Sequence, residues 1–308
     1  METKTVKAEY LCPALTFFRD GEVDFDAQHE LYRRLVEGGI DGAIILGSSS
    51  EFYAMTPQMR RAIALDAIEQ LGGKMKVYVG TGCLNVADTV AASREALDAG
   101  ATGVIIVGPY YIDATPEGVY AYYDEVASQV DGDILIYNYP DRTGYDVTPD
   151  ILNRLVDAHP NIVGIKDTVG NSAHTQAILN GVRPQHPDFL VYTGYDNNFL
   201  PVVFDGGNGC IGALSNIIPG TLAAWAAAVG RGDLDACART HALVCKLFEL
   251  YGVQSPFMPA MKYVAQLQGV GGTCESMLPA LPPTDEAKAQ LEALYRLIEE
   301  YETKFGGK

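Results

Sequence analysis

Short apolar runs of strand length recur along the chain, at 10–16, 42–46, 76–80, 103–107, 134–137, 162–166, 189–193 and 209–212. They are rich in Ile and Val and show little polar alternation, as expected of a sheet covered by helices on its outer side. Between them lie longer segments of helical period, such as 26–37, 58–71, 86–99 and 116–130. Asn85 precedes the third of these, and Thr115-Pro116-Glu117 opens the fourth with a cap and a first-turn proline. Strands alternating with helices predict a parallel sheet. Eight such units in one continuous series favour a closed barrel over an open doubly wound sheet, so the expected fold is α/β, a (β/α)8 TIM barrel, with its core over 1–218. After the eighth strand the pattern is all helical, with helices around 220–229, 234–250, 257–268 and 285–303. Residues 219–308 are therefore expected to hold the last barrel helix and a C-terminal helical subdomain.

Composition narrows the function classes. Of the 308 residues 48% are apolar, enough for a sizeable core, yet no stretch approaches 18 uninterrupted apolar residues, so no membrane span is expected. The segment Met1 to Tyr10 has no apolar signal-peptide core, and a cytoplasmic location is the simplest expectation. A net charge of −17, from 39 acidic and 22 basic residues, argues against nucleic acid as a partner. A small anionic substrate would need local cations in its site. The six cysteines (12, 83, 210, 237, 245, 274) lack both zinc-site spacing and the clustering of a disulfide scaffold. The five histidines form no His-x-His or His-Glu-x-x-His pattern, so no metal is expected.

In a barrel of this kind the chemistry sits at the carboxyl ends of the strands. Those ends carry Gly47-Ser48-Ser49-Ser50-Glu51, Gly108-Pro109-Tyr110-Tyr111, Tyr137-Asn138-Tyr139-Pro140-Asp141-Arg142, Lys166-Asp167-Thr168 and Gly194-Tyr195-Asp196. Lys166 is the most informative. A lysine closing an apolar run is costly to bury charged, and burial favours the neutral amine that attacks a carbonyl. The bland alternative is an exposed lysine just past the strand, or one paired with Asp167. Schiff-base chemistry also needs a proton shuttle and donors for a carboxylate. Tyr137 suits the first, and the hydroxyls and amides of Ser48 and Ser49 suit the second. Thr168 would project to the same side as Lys166 if the strand continues. Taken singly, each has a commoner explanation as a core tyrosine or a serine-rich turn.

Taken together, the motifs Gly-Ser-Ser-Ser-Glu at 47–51, Pro-Tyr-Tyr at 109–111, Tyr-Asn-x-Pro at 137–140 and Gly-Ile-Lys-Asp at 164–167 resemble one family over essentially the whole chain. It is the pyruvate-dependent family that includes dihydrodipicolinate synthase and N-acetylneuraminate lyase. The resemblance implies a class I lyase in which Lys166 forms the Schiff base and Tyr137 transfers protons. Ser48 and Ser49 fall where the family binds the pyruvate carboxylate and relays protons. Tyr111 matches a tyrosine commonly contributed across a subunit interface, so self-association as a dimer or tetramer is implied. Ile211 matches a position whose carbonyl faces the pyruvate unit. No cofactor is implied, because the protonated imine is itself the electron sink. One departure is Ser50, where the family usually has glycine.

The second substrate is less sharply marked. Arg142 matches an arginine that dihydrodipicolinate synthases use to bind the carboxylate of their aldehyde, and a planar guanidinium suits that task. Its alternative is a solvated loop arginine paired with Asp141 or Asp146. Gly194-Tyr195-Asp196 resembles the sugar-acid turn of sialic acid lyases, but Asn197 and Ala213 replace polar contacts those enzymes use, which disfavours that substrate. Tyr137-Asn-Tyr-Pro and Lys166-Asp-Thr also resemble 2-keto-3-deoxygluconate aldolases, and Ser50-Glu51-Phe52 with Gly80-Thr-Gly-Cys83 resembles 4-hydroxy-2-oxoglutarate aldolases. The expectation is condensation of pyruvate, a 2-oxo acid, with a carboxylate-bearing aldehyde, with the hydroxy-oxo acid aldolases as the alternative. Two alternatives come from other classes: a metal-dependent barrel enzyme, which the histidine spacing does not support, and a non-catalytic binding or regulatory barrel.

Overall fold

A computed structural model of the chain describes residues 7–306. The first six residues of the segment lacking a signal-peptide core, and the ends of the two expected regions, lie outside the described residues. The barrel strands are β1 (Glu9–Pro13), β4 (Gly42–Ile45), β5 (Lys76–Gly80), β6 (Gly103–Val107), β7 (Ile134–Asn138), β8 (Ile162–Asp167), β9 (Leu190–Thr193) and β10 (Gly209–Ile211). A small antiparallel hairpin of β2 (Phe18–Arg19) and β3 (Glu22–Val23) follows the first of them. The eight strands form a closed barrel in the order β1-β10-β9-β8-β7-β6-β5-β4, with helices between them and a long C-terminal helix, Asp285–Phe305. The expected TIM-barrel fold with a helical extension is thus the observed one. Among the described residues no helix is long and apolar enough to cross a membrane.

Contacts group the chain into two compact units. One runs from Lys76 to Ile211, and its strands pair in parallel register: Tyr137 lies beside Lys166, Asn138 beside Asp167, and Lys166 beside Tyr192. Its core is the apolar run of those strands, including Val104, Ile106, Ile134, Ile136, Ile165 and Val191, all buried. Several helices start where a side chain takes one of the first free N–H groups. Asn85, Thr115 and Thr148 each cap a helix by accepting from the residue three places on, the last two with proline in the first turn.

The other unit joins the described residues up to Met75 with those from Gly212 onward. Here β1 pairs with β4, and Trp225 is buried with its indole N–H donating to the Cys237 carbonyl at 3.1 Å. The first strand ends at Pro13, short of the expected 16. Beyond it side chains replace the ladder: Asn216 accepts from the Leu15 N–H at 2.9 Å, while Gln28 donates to the Leu15 carbonyl and accepts from the Phe17 N–H. The expected helix at 234–250 breaks into Leu234–Leu247 and Leu250–Val253.

Candidate active site

Strand alternation sorts the polar residues at the end of β8 onto opposite faces. Lys166 is 3% exposed, and its Nζ lies 4.3 Å from the centroid of the Tyr137 ring on the neighbouring strand. Asp167, one residue on, faces the helix Ser172–Val182. Its carboxylate accepts from Thr175 Oγ1 at 2.6 Å and Asn138 Nδ2 at 3.0 Å, and lies 3.0 Å from His174 Nδ1. The bland reading of Lys166 as an exposed lysine, or as the ion-pair partner of Asp167, therefore fails. The aspartate's oxygens are engaged on the other side of the sheet.

Thr168 is buried, and its hydroxyl is without a hydrogen-bond partner among the described residues. Gly194 packs against it so closely that a Cβ there would come within 1.9 Å of Thr168 Oγ1. Only glycine fits. The Gly194 N–H is already committed to the Asp167 carbonyl at 2.8 Å. Asp196 is fully buried at the turn that follows, and Ile211 is fully buried at the end of β10.

A row of aromatic rings runs outward from Lys166. The Tyr137 and Tyr139 rings stack with centroids 5.9 Å apart, and the Arg142 guanidinium lies 5.7 Å from the Tyr139 centroid. A hydrogen bond with the Tyr139 side chain is the main cause that raises the Arg142 pKa, and keeps that group a cation. Tyr195 also faces Tyr139, and burial raises its phenol pKa. Arg142 does not have Asp146 as a free partner, because that carboxylate accepts from Asn138 Nδ2 at 2.8 Å and meets His174 Nε2 at 2.9 Å.

In the other unit, Ser48 and Ser49 begin a single 3-10 turn at the carboxyl end of β4, with Ser49 buried and Ser48 partly exposed. Ser50, the departure from the family pattern, donates its hydroxyl to the Ala14 carbonyl at 2.7 Å. Glu51 takes a left-handed conformation (φ 60°), and its carboxylate meets Lys262 Nζ at 2.6 Å and the Met277 N–H at 2.8 Å. Both side chains of that ion pair are fully buried. Tyr111 lies at the end of β6's loop, 93% exposed and also left-handed (φ 72°).

Sequence reasoning missed His174 and Lys262. His174 stands in no spacing pattern that marks it, since both of its partners lie on other segments of the chain or on the far side of a turn. Among the described residues no group of three or more His, Cys, Asp or Glu side chains is arranged to hold a metal ion. Lys262 had no local signal, since its partner stands more than 200 residues away.

The model of the dihydrodipicolinate synthetase family matches residues 10–297. The chain belongs to this family. As a member, it is an enzyme of the pyruvate-dependent lyase and aldolase kind. It is 34% identical to a probable 2-dehydro-3-deoxy-D-pentonate aldolase, YjhH, of Escherichia coli (strain K12), over 91% of this chain and 93% of that one. It is 33% identical to a 4-hydroxy-tetrahydrodipicolinate synthase of Kosmotoga olearia, covering 93% of this chain and 95% of that one. Among solved structures, the family member YagE of E. coli K12 in complex with pyruvate superposes with a TM-score of 0.92 at 32% identity, over 95% of this chain and 98% of that one.

Proposed function

We propose that the chain makes or breaks a carbon–carbon bond at C3 of pyruvate through a Schiff base on Lys166. The observation that supports this best is the placement of Lys166: buried, in register with Tyr137, and relieved of Asp167 by Asn138, Thr175 and His174. The amine adds to the C2 carbonyl, and the carbinolamine loses water to leave a protonated imine. That imine accepts the electron pair when C3 loses a proton, giving the enamine. The enamine attacks an aldehyde carbon, and hydrolysis frees Lys166; cleavage runs the same steps backwards. Tyr137 moves the protons, and no separate cofactor enters these steps. The family resemblance supports Ser48 and Ser49 as carboxylate donors, with Thr168, Gly194, Asp196 and Ile211 lining the path of the substrate.

The second substrate in this reading is an aldehyde bearing a carboxylate, taken by Arg142 at the outer end of the tyrosine row. A second reading, cleavage of a 2-dehydro-3-deoxy sugar acid to pyruvate and a neutral hydroxyaldehyde, is favoured by the name of YjhH, a probable 2-dehydro-3-deoxy-D-pentonate aldolase. A pairing of copies through the segment around Tyr111 also belongs to the proposal: the family resemblance gives that tyrosine a role across a subunit interface, and its side chain is exposed next to exposed Ile112.

Pyruvate with borohydride should leave a reduced adduct on the wild type and none on Lys166→Ala. A panel of aldehydes then separates the two readings. Carboxylate-bearing aldehydes that lose rate by about a hundredfold in Arg142→Ala support the first. Neutral sugar aldehydes that react at rates insensitive to Arg142→Ala establish the second and end the first.

A further inference from the structure

His174 is clamped between two carboxylates, with Nδ1 3.0 Å from Asp167 Oδ2 and Nε2 2.9 Å from Asp146 Oδ2. Both partners are acceptors, so only a ring carrying two N–H groups satisfies both. Asn138 closes the circuit from the strand side. Its Nδ2 donates to Asp146 at 2.8 Å and to Asp167 at 3.0 Å, and its Oδ1 accepts from the Val147 N–H at 3.1 Å. Each strand residue in this circuit is the immediate successor of a residue in the proposed chemistry: Asn138 follows Tyr137, and Asp167 follows Lys166. The two pairs lie at matching levels of β7 and β8.

We propose that His174 is a positioning residue, which by donating from both ring nitrogens locks Asp167 and Asp146 to Asn138 and so fixes Lys166 and Tyr137 at one level of the barrel. It touches no reacting atom itself, and the inference rests on Lys166 being the nucleophile. The charged neighbours allow this role to be isolated. On the helix Pro149–Ala158, packed against the His174 helix, Arg154 pairs with Glu117 and Asp157 faces His186, while Asp150 is exposed. The helix Phe199–Phe204 carries no titratable side chain, and Leu190–Thr193 contributes only Tyr192. Asp167 and Asp146 are therefore the carboxylates that act on the ring, and their hydrogen bonds push its pKa up to about 9. Above that range the ring loses one proton, and one of its two links turns from attraction to lone-pair repulsion.

Two substitutions separate positioning from mere stability. His174→Gln can donate toward only one carboxylate. Asp146→Asn offers an amide N–H to a neutral ring while its carbonyl still accepts from Asn138, so the circuit survives loss of the proton. The probe is pyruvate, with borohydride-trapped adduct formation measured from about pH 6 to about pH 10, bracketing the range in which His174 titrates. The expected result is a fall of about tenfold to a hundredfold in the saturating rate for His174→Gln with little change in half-saturating pyruvate. In Asp146→Asn the alkaline fall should begin at higher pH than in the wild type. His174→Gln reacting at the wild-type rate, or an Asp146→Asn alkaline limb coinciding with the wild type's, overturns the inference. If His174→Gln does not fold, Asp146→Asn alone decides. A wild type that forms no adduct at all sinks the Lys166 reading, and the inference with it. That outcome is distinct from an adduct whose rate ignores position 174.

Discussion

Lys166 and Asp167 illustrate how one residue step decides between chemistry and scaffolding. Strand alternation sends the lysine against Tyr137 and the aspartate toward the helix layer, where a hydroxyl, an amide and an imidazole take its oxygens. The same clamp has a stability consequence. In the unfolded chain His174 titrates near 6.5, and in the folded chain near 9, chiefly because Asp167 accepts from it. A raised folded pKa contributes stability that is fully present below about pH 6.5 and is lost as pH rises through about 9. The side chain is 27% exposed, so solvent screening trims the effect to about 2 kcal/mol. Urea unfolding of the wild type against His174→Gln should show that margin at pH 6 and little of it at pH 10. A margin that stays constant across the range would mean that the ring is not charged in its clamp.

Among the elements, the turn after β4 depends on groups far from it in the chain. Glu51 is held by Lys262 from the helix Met258–Leu267 and by the backbone of Met277, and Lys262 also donates to the Glu275 carbonyl at 2.7 Å. Burial lowers the Lys262 pKa, and Glu51 opposes that. Lys262→Met should therefore leave a buried carboxylate without its counter-charge, held by the Met277 N–H alone, and cost about 3–5 kcal/mol in denaturant unfolding. The double variant Lys262→Met with Glu51→Gln should recover part of that loss. Most strand positions were legible because apolar runs break off beside glycine or a polar residue, and helix starts were legible from Asn85 and Thr115. The first strand was read too long, because Ala14 to Phe17 stay buried and mostly apolar after side chains have replaced the ladder. The β2–β3 hairpin was not, since two-residue strands leave no periodicity to read. The site divides in the same way. Lys166, Tyr137 and the serine turn stand at strand ends that a linear reading can find. His174 and Lys262 act through partners that only folding brings near.

For the whole molecule, a net charge of −17 works against non-specific association of copies, so lasting self-association needs a specific contact. Tyr111 and Ile112 are both exposed, at 93% and 57%, and supply a candidate for one. If copies pair there, sedimentation of Tyr111→Asp should show a lighter species than the wild type at equal concentration and salt. An unchanged sedimentation coefficient would remove this segment from the proposed contact. The Glu51 carboxylate carries a different message at this scale. Asp20 and Gly21, near the start of the chain, give their N–H groups to Glu275, while the neighbouring Met277 gives its own to Glu51. The region after Gly212 is thus woven into the first strands' turns, and it is no detachable appendage. A protein engineer who trims the tail to reach a minimal barrel would remove Lys262, Glu275 and Met277 together. What remained would keep all eight strands but lose the supports of the serine turn, so the smallest piece able to hold that turn extends past residue 277.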